Sequence, residues 1–331
     1  MSHAPPLGAL LRQYAAGCAV TCEPVGQGLL NRGYRLRTTR GRYFLKHHFD
    51  PETADPAAIA RQHRATQRLA GLGVPVAPPL PGRDGRTVAV IGGHAYALHP
   101  WIDGRHRHGG QLTPGQCTRL GALLGAVHAG LERVMPPSPR PPAVSADPED
   151  TFALIEDLLA RVRRHHPADS FDALARHRLL ERRALLERHA GRRPPRGGSV
   201  GWVHGDFHPF NLLYKGDAPA AIVDWDRLGM QPRAEEAVRA AAIFFVRPVG
   251  TLDLPKVRAY TRAYRRAAGA TPSELAAAVH RVWWERLNDF WMLRWHYERG
   301  DTRADPQFPA ASALAVWWTR EYDAVCDAFV D

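Results

Sequence analysis

The amino-acid sequence predicts an α+β protein of two lobes: a small β-rich lobe over residues 1–97 and a larger, mostly helical one over 103–331, joined by a strap at 98–102. Three observations carry this. Period-two alternation of apolar and polar residues is confined to the first hundred positions. Apolar residues three and four apart dominate after Trp101. A chain of 331 residues, 45% of them apolar, can bury a core in each of two such lobes.

Residues 7–17 read as a short amphipathic helix. In "VGQGLLNRGYRLRTTRGRYFLKHH", Tyr34, Leu36 and Thr38 share a face, "TRG" turns, and Tyr43 and Leu45 resume the pattern, which makes a β-hairpin. A helix from about Pro56 to Leu72 stops at Gly73 before a proline-rich loop, and a second hairpin, "TVAVIGGHAYALHPWIDG", turns at Gly92-Gly93. The small lobe thus runs strand, strand, helix, strand, strand after its first helix. Beyond Trp101, "LTPGQCTRLGALLGAVHAGLERV" offers Thr113 as an N-cap and sets Leu120, Leu123, Leu124 and Val127 at helical spacing. "MPPSPRPPAV" is a proline-rich connector, helices resume over 148–189, and the tail from Glu235 is mostly helical with aromatics concentrated in "WWERLNDFWMLRWHY".

The charge balance is +11, with 44 basic against 33 acidic residues. Such an excess raises the question of a nucleic-acid partner, but the Arg residues are spread along the chain. Their one cluster, 161–196, is interleaved with Leu and Glu at helical spacing and reads as a solvated helix face. No nucleic-acid or membrane partner is expected. The Lys residues are few, at 46, 215 and 256, so a Lys is informative where it occurs. Cys18, Cys22, Cys117 and Cys326 have no zinc-finger spacing and fit reduced thiols. Without an export signal or an apolar run of eighteen residues, the expected location is cytoplasmic.

Four stretches point to one chemistry. In "GQGLLNRG", Gly26, Gly28 and Gly33 would let backbone N–H groups approach phosphate oxygens, although glycine-rich hairpin turns are common without that role. Lys46 ends the following strand, where an ammonium could reach phosphates; an ordinary solvated strand-end Lys is the alternative. "WVHGDFHPFNLLY" places Asp206 and Asn211 five residues apart. That spacing suits a carboxylate accepting a hydroxyl proton and an amide oxygen coordinating Mg²⁺, with His204 orienting the loop. A metal held by His204, Asp206 and His208 is the competing reading, but no further His/Asp pair supports it. "AAIVDWD" delivers Asp224 at the end of an apolar strand, where a carboxylate needs a cation.

Together these stretches resemble the aminoglycoside phosphotransferase and choline kinase-like superfamily, small-molecule relatives of the protein kinases. The resemblance rests on "HGDFHPFN", "IVDWD", "GQGLLNRGYRLRT", "YFLK" and "LGVPVAPPL", and covers nearly the whole chain. It implies a protein-kinase-like bilobal fold and an ATP- or GTP-dependent, Mg²⁺-dependent kinase acting on a hydroxylated small molecule, as monomer or homodimer. It implies Asp206 as catalytic base and Asn211 and Asp224 as Mg²⁺ ligands. Lys46, Gly26, Gly28 and Asn31 would contact the nucleotide phosphates, and the backbone of Leu98 to Ile102, including Trp101, would face the adenine. Asp226 and Glu235 would support the metal site.

One departure concerns the acidic partner of the strand Lys. The matching helix position is Gln62, so either Glu52 or Asp55 reaches in or Lys46 has an uncharged partner. For the acceptor, Trp284, Asn288, Trp291 and Trp295 share a predicted helical face, which reads as a stacking wall or as a core stripe. A protein-serine kinase and a non-catalytic nucleotide-binding scaffold are the other functional readings; intact Asp206, Asn211 and Asp224 weigh against the scaffold.

Overall fold

The computed structural model describes residues 4–26, 31–51, 53–137, 144–195, 197–198 and 200–331. The chain separates into two compact units, one of residues 1–107, 129–137 and 204–229 and the other of 108–128, 138–203 and 230–331.

The first unit opens with α1 (Leu7–Gln13) and β1 (Ala19–Val25), continues with β2 (Arg32–Thr38), β3 (Gly41–His48) and α2 (Pro56–Gly71), and then forms β4 (Ala89–Ile91) and β5 (His94–Pro100). The strands make one antiparallel sheet in the order β1-β2-β3-β5-β4. Both hairpins follow the alternation: Leu36 lies opposite Tyr43, Tyr34 opposite Leu45, and Ile91 opposite His94 across the glycine turn. Leu36, Leu45 and Leu98 pack with Leu10, Leu11 and Tyr14 of the first helix and its end in one core cluster. The helix stops four residues short of its expected end because Ala15 takes a positive φ and the buried Tyr14 hydroxyl donates to Thr87 O at 2.9 Å. β1 is not among the strands the alternation predicts. It is an edge strand containing Pro24, and five of its seven residues are exposed, so it carries no apolar face for a period-two signal. Asp55 caps α2, accepting from Ala57 N at 3.1 Å and Ala58 N at 3.0 Å.

The expected strap begins as strand. Leu98 pairs with Leu45, its carbonyl accepts from Leu80 N at 2.7 Å, and β5 ends only at Pro100. The segment 204–229 groups with the sheet and not with the helices that the 103–331 assignment gave it. Its hairpin, β7 (Leu212–Lys215) and β8 (Ala218–Ile222), is laddered to this unit, with Ile222 N donating to Pro75 O at 2.8 Å and Arg105 and Tyr214 exchanging two bonds of 2.9 Å.

The second unit holds most of α3 (Pro114–Val134), then α4 (Pro148–Arg164), α5 (Ser170–His189), α6 (Arg233–Phe244), α7 (Leu254–Ala268), α8 (Pro272–Asn288), α9 (Trp291–Arg299), α10 (Phe308–Arg320) and α11 (Tyr322–Val330). A short sheet joins β6 (Val200–Val203) to β9 (Gly229–Pro232). Thr113 and Gln116 exchange side-chain-to-backbone bonds at the start of α3. At Gly121, α3 meets α7 so closely that a Cβ would lie 2.0 Å from Tyr260 O. Most of the Arg cluster is a solvated face, with Arg161 paired to Asp157 at 2.7 Å and Arg183 paired to Glu156 and Glu187. Arg182 departs from it and is buried. No helix among the described residues is long and apolar enough to cross a membrane.

Candidate active site

Lys46 sits on β3 with its ammonium between two carboxylates, 2.7 Å from Asp224 Oδ1 and 2.7 Å from Asp226 Oδ1. Burial alone would push the ammonium toward its neutral form, but the two acids override it and hold it above its ordinary range. Asp226 is itself raised, because burial and the adjacent Asp224 outweigh the attraction of Lys46. Burial also opposes ionisation of Asp224, yet Lys46 holds that carboxyl well below the usual range. One cation thus compensates two anions, which leaves room for a second positive charge. Among the described residues the acidic partners of Lys46 are Asp224 and Asp226. Asp55 is spent on its helix cap, Gln62 donates to the Asp226 carbonyl at 2.8 Å, and Glu52 lies outside the described residues.

The catalytic-loop candidate is held by His204, which is fully buried. Its Nε2 lies 3.0 Å from Val223 O, and its Nδ1 accepts from Asp206 N at 3.2 Å. The carbonyl and the amide together require Nε2–H and a bare Nδ1, so the neutral ring ties the Asp206 loop to the strand end bearing Asp224. The ring also packs 4.5 Å from Trp225, whose Nε1 donates to Ile222 O at 3.1 Å, which explains the Trp between the two acids. Gly205 is required on two counts: φ is +85°, and a Cβ would lie 2.1 Å from Arg227 O. Asp224 takes a φ of +59° despite its side chain, the kind of strain that persists where surrounding bonds over-determine a site.

Asn211 ends a 3-10 turn at Pro209–Asn211, and its Nδ2 donates to Asp206 O at 2.9 Å. The donor end of the amide is thus committed to the loop, and the oxygen is the end with lone pairs for a cation. Burial pushes the Asp206 carboxyl up, but a bond from His208 and the nearby positive charge of His208 and Arg227 bring it below the usual range. His208 Nε2 is 3.5 Å and Arg227 Nε 3.9 Å from Asp206 Oδ2. Asp206 is therefore a carboxylate at neutral pH. The metal reading for His204, Asp206 and His208 fails, since both His204 nitrogens are engaged in fixing the loop. With Asp224 and Asn211, the donor set is hard oxygen, the chemistry Mg²⁺ takes.

Asn31 does more than border the glycine turn. Its Nδ2 donates to Asp226 Oδ2 at 2.6 Å and its Oδ1 accepts from Phe49 N at 3.0 Å, latching the turn's exit to the segment bearing Asp224 and Asp226. A Cβ on Gly26 would meet nothing within 4 Å among the described residues; Gly28 lies outside them. Leu98 is a core residue, and Trp101 is part-exposed with its Nε1 donating to Asp103 Oδ1 at 3.2 Å.

Two expectations in the helical unit are corrected. Trp284 and Asn288 are core residues: Trp284 is 1% exposed with Nε1 donating to Ala146 O, and Asn288 Oδ1 accepts from Thr151 Oγ1 at 2.7 Å. α8 ends at Asn288 and a new helix starts at Trp291, so no continuous face joins the four residues. Trp291 and Trp295 are half-buried and contact each other edge-on at 5.5 Å. Glu235 is the second: its carboxylate pairs with Arg281 of α8 at 3.5 Å.

A five-stranded antiparallel sheet carrying a buried Lys against two strand-end acids, with an Asp/Asn loop pinned to them, defines a kinase-like phosphotransferase. Residues 21–270 match the family model described as "Phosphotransferase enzyme family", and the chain belongs to that family. It is 28% identical over 313 residues to the homoserine kinase of Burkholderia multivorans, covering 86% of this chain and 85% of that one. It also matches the homoserine kinase of Sinorhizobium medicae, at 27% identity over 217 residues, but spans only 60% of that protein's length. Among solved structures, a microcompartment-associated aminopropanol kinase aligns with a TM-score of 0.64 at 15% identity, over 98% of both chains. An amicoumacin kinase in complex with AMP-PNP and Ca²⁺ aligns with a TM-score of 0.62 at 17% identity, over 99% of this chain and 94% of that one.

Proposed function

We propose that the chain transfers the γ-phosphoryl group of ATP to the hydroxyl of a short amino-alcohol acceptor, with L-homoserine the first candidate. The observation that carries this reading is the fixed frame of Lys46, Asp224 and Asp226, joined through His204 to the loop bearing Asp206 and Asn211. Asp206, ionised and held by its backbone amide, accepts the proton of the acceptor hydroxyl or orients it. Asn211 and Asp224 would hold Mg²⁺, which when bound would neutralise the charge of the nucleotide phosphates. Lys46 would turn from the acids to the phosphates, with Gly26 at the start of the turn that would cover them. The backbone from Leu98 to Ile102 lines the adenine side.

The nucleotide and cation in the amicoumacin kinase structure support the cofactors, and the homoserine and aminopropanol kinases support a small amino-alcohol acceptor. The test is acceptor-dependent ADP release from Mg·ATP across homoserine, aminopropanol, ethanolamine, choline and aminoglycosides. Release with homoserine or an amino alcohol bears the reading out. No release with any acceptor, despite nucleotide binding, turns it toward the protein-kinase reading.

A further inference from the structure

The helical unit contains a small cavity of about 40 Å³ at the junction of α8 and α9, lined by Arg182, Arg286, Asp289, Phe290, Trp291 and Phe308 among others. Two guanidinium groups meet there over a single acidic side chain of the lining, Asp289. Arg182 is 6% exposed; its Nη1 donates to the Asp289 carbonyl at 2.6 Å, its plane lies over the Phe290 ring at 4.7 Å, and its Nε has no partner. Arg286 makes neither hydrogen bond nor ion pair among the described residues, and the acid beside it in sequence, Glu285, is taken by Arg239 at 2.7 Å. Burial accordingly lowers both, Arg182 to about 10. Two desolvated cations against one lining carboxylate leave a positive excess, which is costly unless a ligand supplies a second anion.

We propose that this cavity binds the carboxylate of a small amino acid, gripped by the Arg286 and Arg182 guanidinium groups, with Asp289 facing its ammonium. Arg presents a planar fork that matches a carboxylate. Asp289 supplies the one acidic side chain of the lining, with its Oδ1 accepting from Trp291 N at 3.0 Å. The volume admits roughly two or three waters, the footprint of a carboxylate and not of a saccharide ring. Two cations also disfavour a polycationic ligand. The inference rests on the proposed function only in the choice of homoserine as the probe amino acid; it separates homoserine, which has a carboxylate, from aminopropanol and aminoglycosides, which lack one.

The test is calorimetric binding of L-homoserine and of L-homoserinol, whose carboxylate is replaced by CH₂OH, to the wild-type protein and to Arg286→Gln and Arg286→Lys. Wild-type protein is expected to bind homoserine about 10- to 100-fold more tightly, the range of a charge-assisted hydrogen bond. Arg286→Gln erases that preference and Arg286→Lys restores part of it. Equal binding of the two ligands by wild-type protein, a preference that survives Arg286→Gln, or no binding of homoserine, serine or 4-hydroxybutyrate overturns the proposal. Homoserine that binds with the expected preference but elicits no ADP release from Mg·ATP contradicts homoserine as the phosphoryl acceptor and leaves the carboxylate cavity standing.

Discussion

The loop 204–211 and the aromatic stretch 283–295 both look like sites in the sequence, and the structure treats them in opposite ways. In the first, polar residues that local packing does not need are pinned by specific bonds around one point: His204 to Val223 and Asp206, Asn211 to Asp206, Lys46 to Asp224 and Asp226. In the second, large aromatics at helical spacing satisfy the core, and Trp283 and Trp284 are fully buried. Periodicity of apolar groups reports burial, whereas costly polar groups at fixed offsets report chemistry.

Substitutions on the two sides should separate these roles. The largest effect is expected at Asp224→Ala, which removes the acid proposed to hold Mg²⁺. Magnesium-dependent nucleotide binding should fall below detection by calorimetry, and binding that stays magnesium-dependent would move the metal elsewhere. Trp284→Ala should cost about 3–5 kcal/mol of stability by leaving a cavity in the core. Turnover per folded molecule should hold at low temperature; a specific loss of kcat would restore the stacking-wall reading.

Acid should act on the β-rich unit through three histidines. His48, His63 and His99 are lowered, chiefly by burial, to about 2, 3 and 4. The unfolded chain takes up protons near pH 6.5 while the folded one does not. Stability is therefore full above that pH and falls as pH drops from about 6.5 toward 4, by about 1.4 kcal/mol per unit for each ring. Urea denaturation at pH 7.5 and 5 measures it, and an unchanged midpoint would mean the rings are already charged. The smallest effect is expected at Asn31→Ala, about 1–2 kcal/mol from the lost latch to Asp226. It should show as a raised KM for nucleotide with the melting midpoint shifted only a few degrees.

The loop 204–211 and the Asp224–Asp226 segment could be read as a candidate site because each motif is contained in a few consecutive residues, and the hairpins because Leu36, Leu45 and Leu98 share a buried side. The partner of Lys46 could not, since the acids it meets lie 178 and 180 positions later, and no local pattern encodes that pairing. β1 shows no alternation because it is an exposed edge, and the predicted helical face does not run through because α8 breaks at Asp289, where the chain shows no Gly or Pro. Arg182 hid within a run of solvated arginines, distinguishable only once its burial was visible.

The most direct test is ADP release from Mg·ATP with saturating homoserine, comparing wild-type protein with Asp206→Asn. The amide preserves the shape of the side chain but cannot accept the hydroxyl proton. Nucleotide affinity should be nearly unchanged while kcat falls about 10²- to 10⁴-fold. Wild-type turnover in Asp206→Asn would contradict the assignment of this loop as the catalytic machinery.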